Sequence, residues 1–188
     1  MLKKLLLAVV VVLAAFTVFI TTRPASYRVS RSQAIAAPAS TVYVQVADFH
    51  QWEKWSPWAK LDPAMKTTFA GPVAAPGSSY GWLGNDKVGE GKMTIVEARP
   101  GEMLRIRLEF LKPFASTNSS TFTFAPKGGG TDVTWTMEGH NGFAGKAFSV
   151  FMNMDKMIGN DFEKGLAQLK AVAEAERQKS PAASAAAR

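Results

Sequence analysis

A chain of 188 residues is long enough for one domain with a substantial core and too short for two ordinary ones. Its 47% apolar and 11% aromatic content excludes a disordered chain, and the absence of cysteine excludes disulfides, thiolate nucleophiles and thiolate-bound metals. The net charge of +7 is not a nucleic-acid-binding stripe: Lys3, Lys4, Arg23, Arg28 and Arg31 all precede the first acid, and setting those five aside leaves 17 of the 22 bases against all 15 acids.

The chain opens with Lys3-Lys4 and then an apolar run from Leu5 to Ile20 broken only by Thr17. Taken through Thr22 it forms a helix of about 27 Å, close to the thickness of a bilayer's hydrocarbon core. The run is long for a signal peptide and ends in Phe-Ile-Thr-Thr-Arg-Pro, with no Ala-x-Ala-like site, which favours an uncleaved single-pass anchor over residues 1–23. Basic residues flank both ends, so the positive-inside rule is nearly balanced; the short dilysine tail favours a cytoplasmic N-terminus and a domain on the periplasmic or extracytoplasmic side.

Tyr27 to Ile35 alternates as a strand, with Tyr27, Val29, Arg31, Gln33 and Ile35 on one face. Pro38 suits the first turn of a short helix whose apolar side is Val42, Tyr43, Val46 and Phe49. Trp52, Trp55 and Trp58 follow at spacings of three, and Pro57 stops any helix there. A meander of strands comes next, over Lys66–Ala70, Ser79–Leu83, Lys87–Ala98, the alternating Leu104-to-Phe110 segment, Ser116–Ala125 and Thr131–His140, each pair separated by Gly, Pro or Asn-Asp turn signals. From Gly145 the period becomes helical: Phe148, Phe151, Met154, Ile158, Phe162, Leu166, Leu169 and Val172 form one stripe along one long helix. Residues 177–188 read as a disordered Ala- and Ser-rich tail, leaving 24–176 as the folded domain.

This order defines an α+β fold. The apolar stripe of the long helix has one large surface to cover, the inner face of a curved antiparallel sheet, and a sheet wrapped around a helix leaves an apolar space between them. Three segments then carry a resemblance: Asp48-Phe49-His50-Gln51-Trp52-Glu53-Lys54-Trp55-Ser56-Pro57-Trp58, Lys87-Val88-Gly89-Glu90-Gly91-Lys92-Met93 and Phe162-Glu163-Lys164-Gly165-Leu166. They resemble the bacterial polyketide-cyclase/dehydrase branch of the START-like superfamily, over about Tyr27 to Glu174. The resemblance implies the helix-grip fold, with a sheet around a long C-terminal helix and two short helices after strand one. It also implies a hydrophobic ligand cavity, and does not imply one chemistry, because members include binders, transfer proteins and cyclases.

On that reading the ligand-lining side chains are Trp58, Tyr80, Trp82, Met93, Leu108, Phe110, Phe122, Trp135, Phe151, Met154 and Ile158. The candidate catalytic acid is Glu90, flanked by glycines that predict a bulge or a close backbone approach. In a dry cavity its carboxyl would serve as general acid or base; facing water it would pair with a Lys or Arg of the next strand, which is the favoured reading. Glu109 and Glu138 alternate with apolar neighbours and belong on the solvent face. His50 and His140 are 90 positions apart with no ligand-spaced partners, so neither metal nor cofactor is expected. Trp52, Trp55 and Trp58 form either a lid over the cavity or a plug beneath the short helices, with the plug favoured for Trp55. Gly159 and Gly165, unfavourable inside a helix, predict close approach of the sheet or of a ligand. Asn118-Ser119-Ser120 matches a glycosylation acceptor, a pattern common by chance.

Three functions are compatible with these residues. The first is a membrane-tethered binding module for a lipid or other hydrophobic small molecule. The second is a cyclase/dehydrase-like enzyme moving protons with Glu90, Tyr80 or His140, and the third is a protein-interaction module presenting the tryptophans.

Overall fold

The apolar run forms α1 (Leu2–Thr21), and a four-residue link then leads into β1 (Ser26–Ile35). The computed structural model describes residues 1–179 except Met152, and only the backbone of Ala144 and Phe151; the C-terminal part of the expected tail, 180–188, lies outside the described residues. After β1 come α2 (Ala39–Ala47), a 3-10 turn at Phe49–Gln51 and α3 (Trp52–Trp55). The strands β2 (Lys66–Ala70), β3 (Ser79–Leu83), β4 (Glu90–Arg99), β5 (Met103–Lys112), β6 (Ser116–Lys127) and β7 (Gly130–His140) follow, and then α4 (Phe143–Phe151) and α5 (Met154–Lys179).

All strand pairs are antiparallel, in the order β1-β7-β6-β5-β4-β3-β2. Register places two rows of inward-facing residues across the sheet. One row runs Leu104–Phe122–Trp135–Arg31 and the other Phe69–Tyr80–Met93–Leu108–Asn118–Gly139–Tyr27. Four residues along each strand separate them, about 13 Å. The second row is nearer the end of the sheet at which α1 joins β1.

Trp135 is the hub of the first row. Phe162 of α5 lies face to face with it at 3.9 Å and 6°, and Phe122 stacks beside it at 4.8 Å. Trp52, Trp55 and Trp58 meet its ring edge-on at 6.3, 5.8 and 5.8 Å. The polar ends of these buried rings are satisfied: the indole N–H groups of Trp52, Trp55 and Trp135 donate to Val46 O, Gln45 O and Ser120 Oγ. Trp55 is therefore the plug, and Trp52 is buried with it.

Arg31 clamps α5 to β1. Its guanidinium donates to Asp155 and Glu163, one turn either side of Gly159. A Cβ on Gly159 would overlap that guanidinium, and one on Gly165 would press on Trp135 and Pro57. Both helical glycines thus mark close approach of the sheet side and of the Trp-Ser-Pro-Trp segment. At the far end Arg177 donates to Ala36 O and Lys170 to Ala34 O, seating the helix along β1.

Three boundaries differ from expectation. The single long helix is two, because Asn153 caps α5, its Oδ1 accepting from the Lys156 amide at 2.9 Å; the unbroken apolar period hides that N-cap signal. The fourth strand begins at Glu90 rather than Lys87, since Val88 and Gly89 turn back to Asn85 O within the hairpin. Residues 177–179, expected as tail, belong to α5.

Phe162→Ala removes the central stacked ring, and it should lower the unfolding free energy by about 3–5 kcal/mol, read from urea unfolding followed by tryptophan fluorescence. The Arg31 clamp predicts a pH effect. The hydrogen bond from Arg31 holds the Asp155 carboxyl below its ordinary value, against a smaller opposing effect of burial. Its contribution is complete above the unfolded carboxyl pKa of about 4 and disappears as pH falls through the lowered folded value. Asp155→Asn should therefore lower the urea midpoint at pH 7, by a difference that shrinks as pH falls below about 4.

Candidate ligand-binding site

The inner face of the sheet divides in two. One half is packed solid by the Trp135 stack, and in it lie Phe122 and Trp135, both almost completely buried. These two were expected to line a cavity; both belong to the buried core, Phe122 against Trp52 and Trp55, and Trp135 also against Trp58 and Phe162. Trp58 sits half-buried at the margin of the same stack.

The other half surrounds the second row. Tyr80 and Trp82 stack at 6.1 Å, Phe110 meets Trp82 edge-on at 5.9 Å, and Leu108 lies opposite the buried Met93. Ile158 and Met154, in the first turns of α5, are half-buried on the helix side. Tyr80, Trp82, Leu108 and Ile158 all pack against the core while keeping part of their surface open. α5 seats on β1 and β7, so it leaves the inner face of β3, β4 and β5 short of a helical partner. The Phe151 side chain is outside the described residues.

The Trp82 ring lies on Gly91, where a Cβ would overlap both the ring and Glu109 O, and its indole N–H donates to Val88 O. That close approach, together with a register shift between Glu90 and Gly91, is what the glycines around Glu90 provide. Glu90 itself pairs with Lys112 of β5 at 2.7 Å. Glu138 pairs with Arg28 and Glu109 with Arg107. His140 ends β7 and is exposed. His50 is bonded to Asp48 at 2.8 Å and stacked on Phe69 at 4.1 Å. Burial pushes the Asp48 carboxyl up, but bonds from Gln51 and His50 outweigh it and hold the group below its ordinary value. Among the described residues, no three His, Asp or Glu side chains are grouped to hold a metal ion.

The open half contains a polar pair that periodicity alone does not single out. The Tyr27 hydroxyl donates to Asn118 Oδ1 at 2.9 Å, above Gly139, where a Cβ would overlap both. Period two places Tyr27 with Val29, and Asn118 with Phe122, so their inward direction is readable; their pairing across β7 is not. Asn118 is 5% exposed, which removes the glycosylation pattern from the surface. Burial raises the Tyr27 and Tyr80 phenols, with the Glu53 charge adding at Tyr80. Both therefore stay protonated at neutral pH, as hydrogen-bond donors.

Two recesses lie nearby. One of about 230 Å³ is bounded by Asp48, His50, Phe69 and Val73 beside β2. The other, about 780 Å³, is a groove at the start of β1 and the end of β7, bounded by Tyr27, Asn118 and Gly139 as well as by Arg28, Glu138, Ser119 and Arg107.

A curved seven-stranded sheet holding a C-terminal helix, with short helices after the first strand, defines a START-like helix-grip protein. The chain belongs to the family described as polyketide cyclase / dehydrase and lipid transport, whose profile matches residues 26–174. Solved structures share the fold. Protein CV1439 of Chromobacterium violaceum is 22% identical, with a TM-score of 0.56 over 80% of this chain and 99% of that one. Ara h 8.0201 is 12% identical, with a TM-score of 0.55 over 79% and 97%. The di-domain ARO/CYC StfQ of the steffimycin biosynthetic pathway is 13% identical, with a TM-score of 0.61 over 83% of this chain and 53% of its own length. No curated protein matches the chain.

Gly91→Ala forces Trp82 off the sheet, and overpacking of this kind costs roughly 1–3 kcal/mol. The variant should fold with a reduced thermal midpoint and an altered near-UV circular dichroism signal from the displaced indole.

Proposed function

We propose that the chain is a membrane-anchored module that binds a lipid or another hydrophobic small molecule in the open half of the grip. The observation that carries this reading is the unequal filling of the inner face. One half is closed by stacked rings, while the other keeps Tyr80, Trp82, Leu108, Phe110, Ile158 and Met154 half-buried and carries the Tyr27–Asn118 pair. Partly exposed apolar walls with a few polar groups are the make-up of a hydrophobic ligand site. The family's description, which joins cyclase/dehydrase chemistry to lipid transport, supports the same class of ligand. α1 is 20 residues long, with an 18-residue window of mean hydropathy 2.6; it is long and apolar enough to cross a membrane, and supports the tether. The dilysine start favours an extracytoplasmic domain.

A cyclase/dehydrase-like activity is the second reading, and Tyr80 is the observation in its favour. Of the three expected proton-transfer residues, it faces the open half with its phenol held protonated. It would donate a hydrogen bond or proton to a substrate carbonyl.

Native mass spectrometry of the full chain released from mild detergent tests the binding reading. A co-purifying hydrophobic mass is expected, and Leu108→Asp, which sets a carboxylate in the open half, should lose it. A chain that carries no such mass and takes up neither fatty acid, phospholipid nor quinone would refute it. Turnover of a polyketide-like substrate that Tyr80→Phe abolishes would favour the second reading.

A further inference from the structure

We infer that the end of the domain formed by α4 and the β5–β6 hairpin tip is a bilayer-contacting surface, so that the open half of the grip faces lipid directly. The inference rests on α1 being a membrane anchor, as proposed above.

The first observation is how little chain separates α1 from the sheet. Between Thr21 and Ser26 an extended link reaches at most about 18 Å, and here it is drawn in further, because the Thr22 and Arg23 amides donate to Val18 O and Ile20 O. The Asn141 amide donates to Ala25 O, tying the exit of β7 to the same link. Lys146 Nζ of α4 donates to Thr21 O at 3.2 Å, which holds α4 against the last turn of α1. The domain is thus fastened at one end, and that end is defined by the sheet itself: the start of β1, the exits of β7 and β5, and the entries of β6 and β4.

The second observation is what this end exposes. Phe114, between β5 and β6, is 77% exposed, and Leu111 is 54%. Phe143 and Phe148 of α4 are 55% and 47% exposed. Large apolar groups collected at one end of a soluble domain mark a contact surface. Here α4 packs against α1, and Lys146 and Arg23 beside it suit the headgroup level. A lipid surface fits both the apolar side chains and the basic fringe.

The third observation is orientation. The Trp135 stack lies about 13 Å farther from this end than the Tyr80–Leu108–Tyr27 row. The closed half of the grip therefore points away from the bilayer and the open half toward it. A lipid that leaves the membrane reaches the inner face without crossing bulk water.

The absence of native cysteine makes the test direct. Phe114→Cys, Phe148→Cys and, at the opposite end, Glu102→Cys are each labelled with nitrobenzoxadiazole in the full chain. All three positions are exposed, so the labels leave the core intact. The proteins are reconstituted in vesicles of phosphatidylcholine and phosphatidylglycerol with or without a spin-labelled quencher lipid. Labels at 114 and 148 should be blue-shifted and quenched severalfold more than the label at 102. Equal quenching at all three sites, in a chain that alkaline carbonate does not extract, would overturn this inference and leave the anchor intact. Extraction of the chain by carbonate would instead overturn the anchor reading, and this inference with it.

Discussion

The stacking of Phe162 on Trp135 is the contact on which the rest of the domain depends. It joins the C-terminal helix to the middle of the sheet, and four other aromatic rings organise around the same indole. A ring pair this close adds directional preference to the burial of large apolar area, and it allows only a narrow range of helix positions. Gly159 and Gly165 serve that position, one admitting the Arg31 guanidinium and the other the Trp135 and Pro57 side chains. The helix gives up some intrinsic propensity at both sites, and the close packing offsets it.

The proposed function follows from where that packing stops. A core filled evenly from end to end would leave no room for a guest. In this domain the aromatic stack takes one end of the grip and the seat of α5 on β1 and β7 takes one side. On the inner face of the middle strands half-buried apolar side chains remain, with Tyr27, Asn118 and Tyr80 as the polar groups beside them. Several acids and one histidine elsewhere are engaged in ion pairs or hydrogen bonds. Glu90, Glu109 and Glu138 each pair with a cation on a neighbouring strand or two residues away, and His50 is held by Asp48. On the proposed reading a hydrophobic guest would gain from the apolar walls, and the protonated phenols would give it orientation.

The fold is largely legible in the residues, and the site only partly. Alternation marks most strands, and the segments around Trp-Ser-Pro-Trp, Gly-Glu-Gly and Phe162 to Leu166 carry the family resemblance. The glycines beside Glu90 indicate a close approach, and it is the Trp82 ring that approaches. The split between α4 and α5 is not legible, because Asn153 interrupts hydrogen bonding without interrupting the apolar period. Period two shows which face Phe122 and Trp135 occupy, not how far along the sheet the filling extends, so it does not separate a cavity wall from core. The Tyr27–Asn118 bond joins residues 91 apart in the chain, and no local pattern encodes such a pair.

Local chemistry, then, settles what can be settled by neighbours in the chain. The apolar length of the first helix, the inward and outward faces of each strand, the lack of thiol chemistry and the aromatic character of the interior all follow from residue type and spacing. Tertiary structure alone decided which aromatic rings close the grip and which leave it open. It also decided that the open half lies at the end joined to α1, and that Arg31 reaches α5 through the space at Gly159. The physical reason is that side-chain direction is local, whereas contact depends on strand register and helix placement, which are set by pairings between residues far apart in the chain.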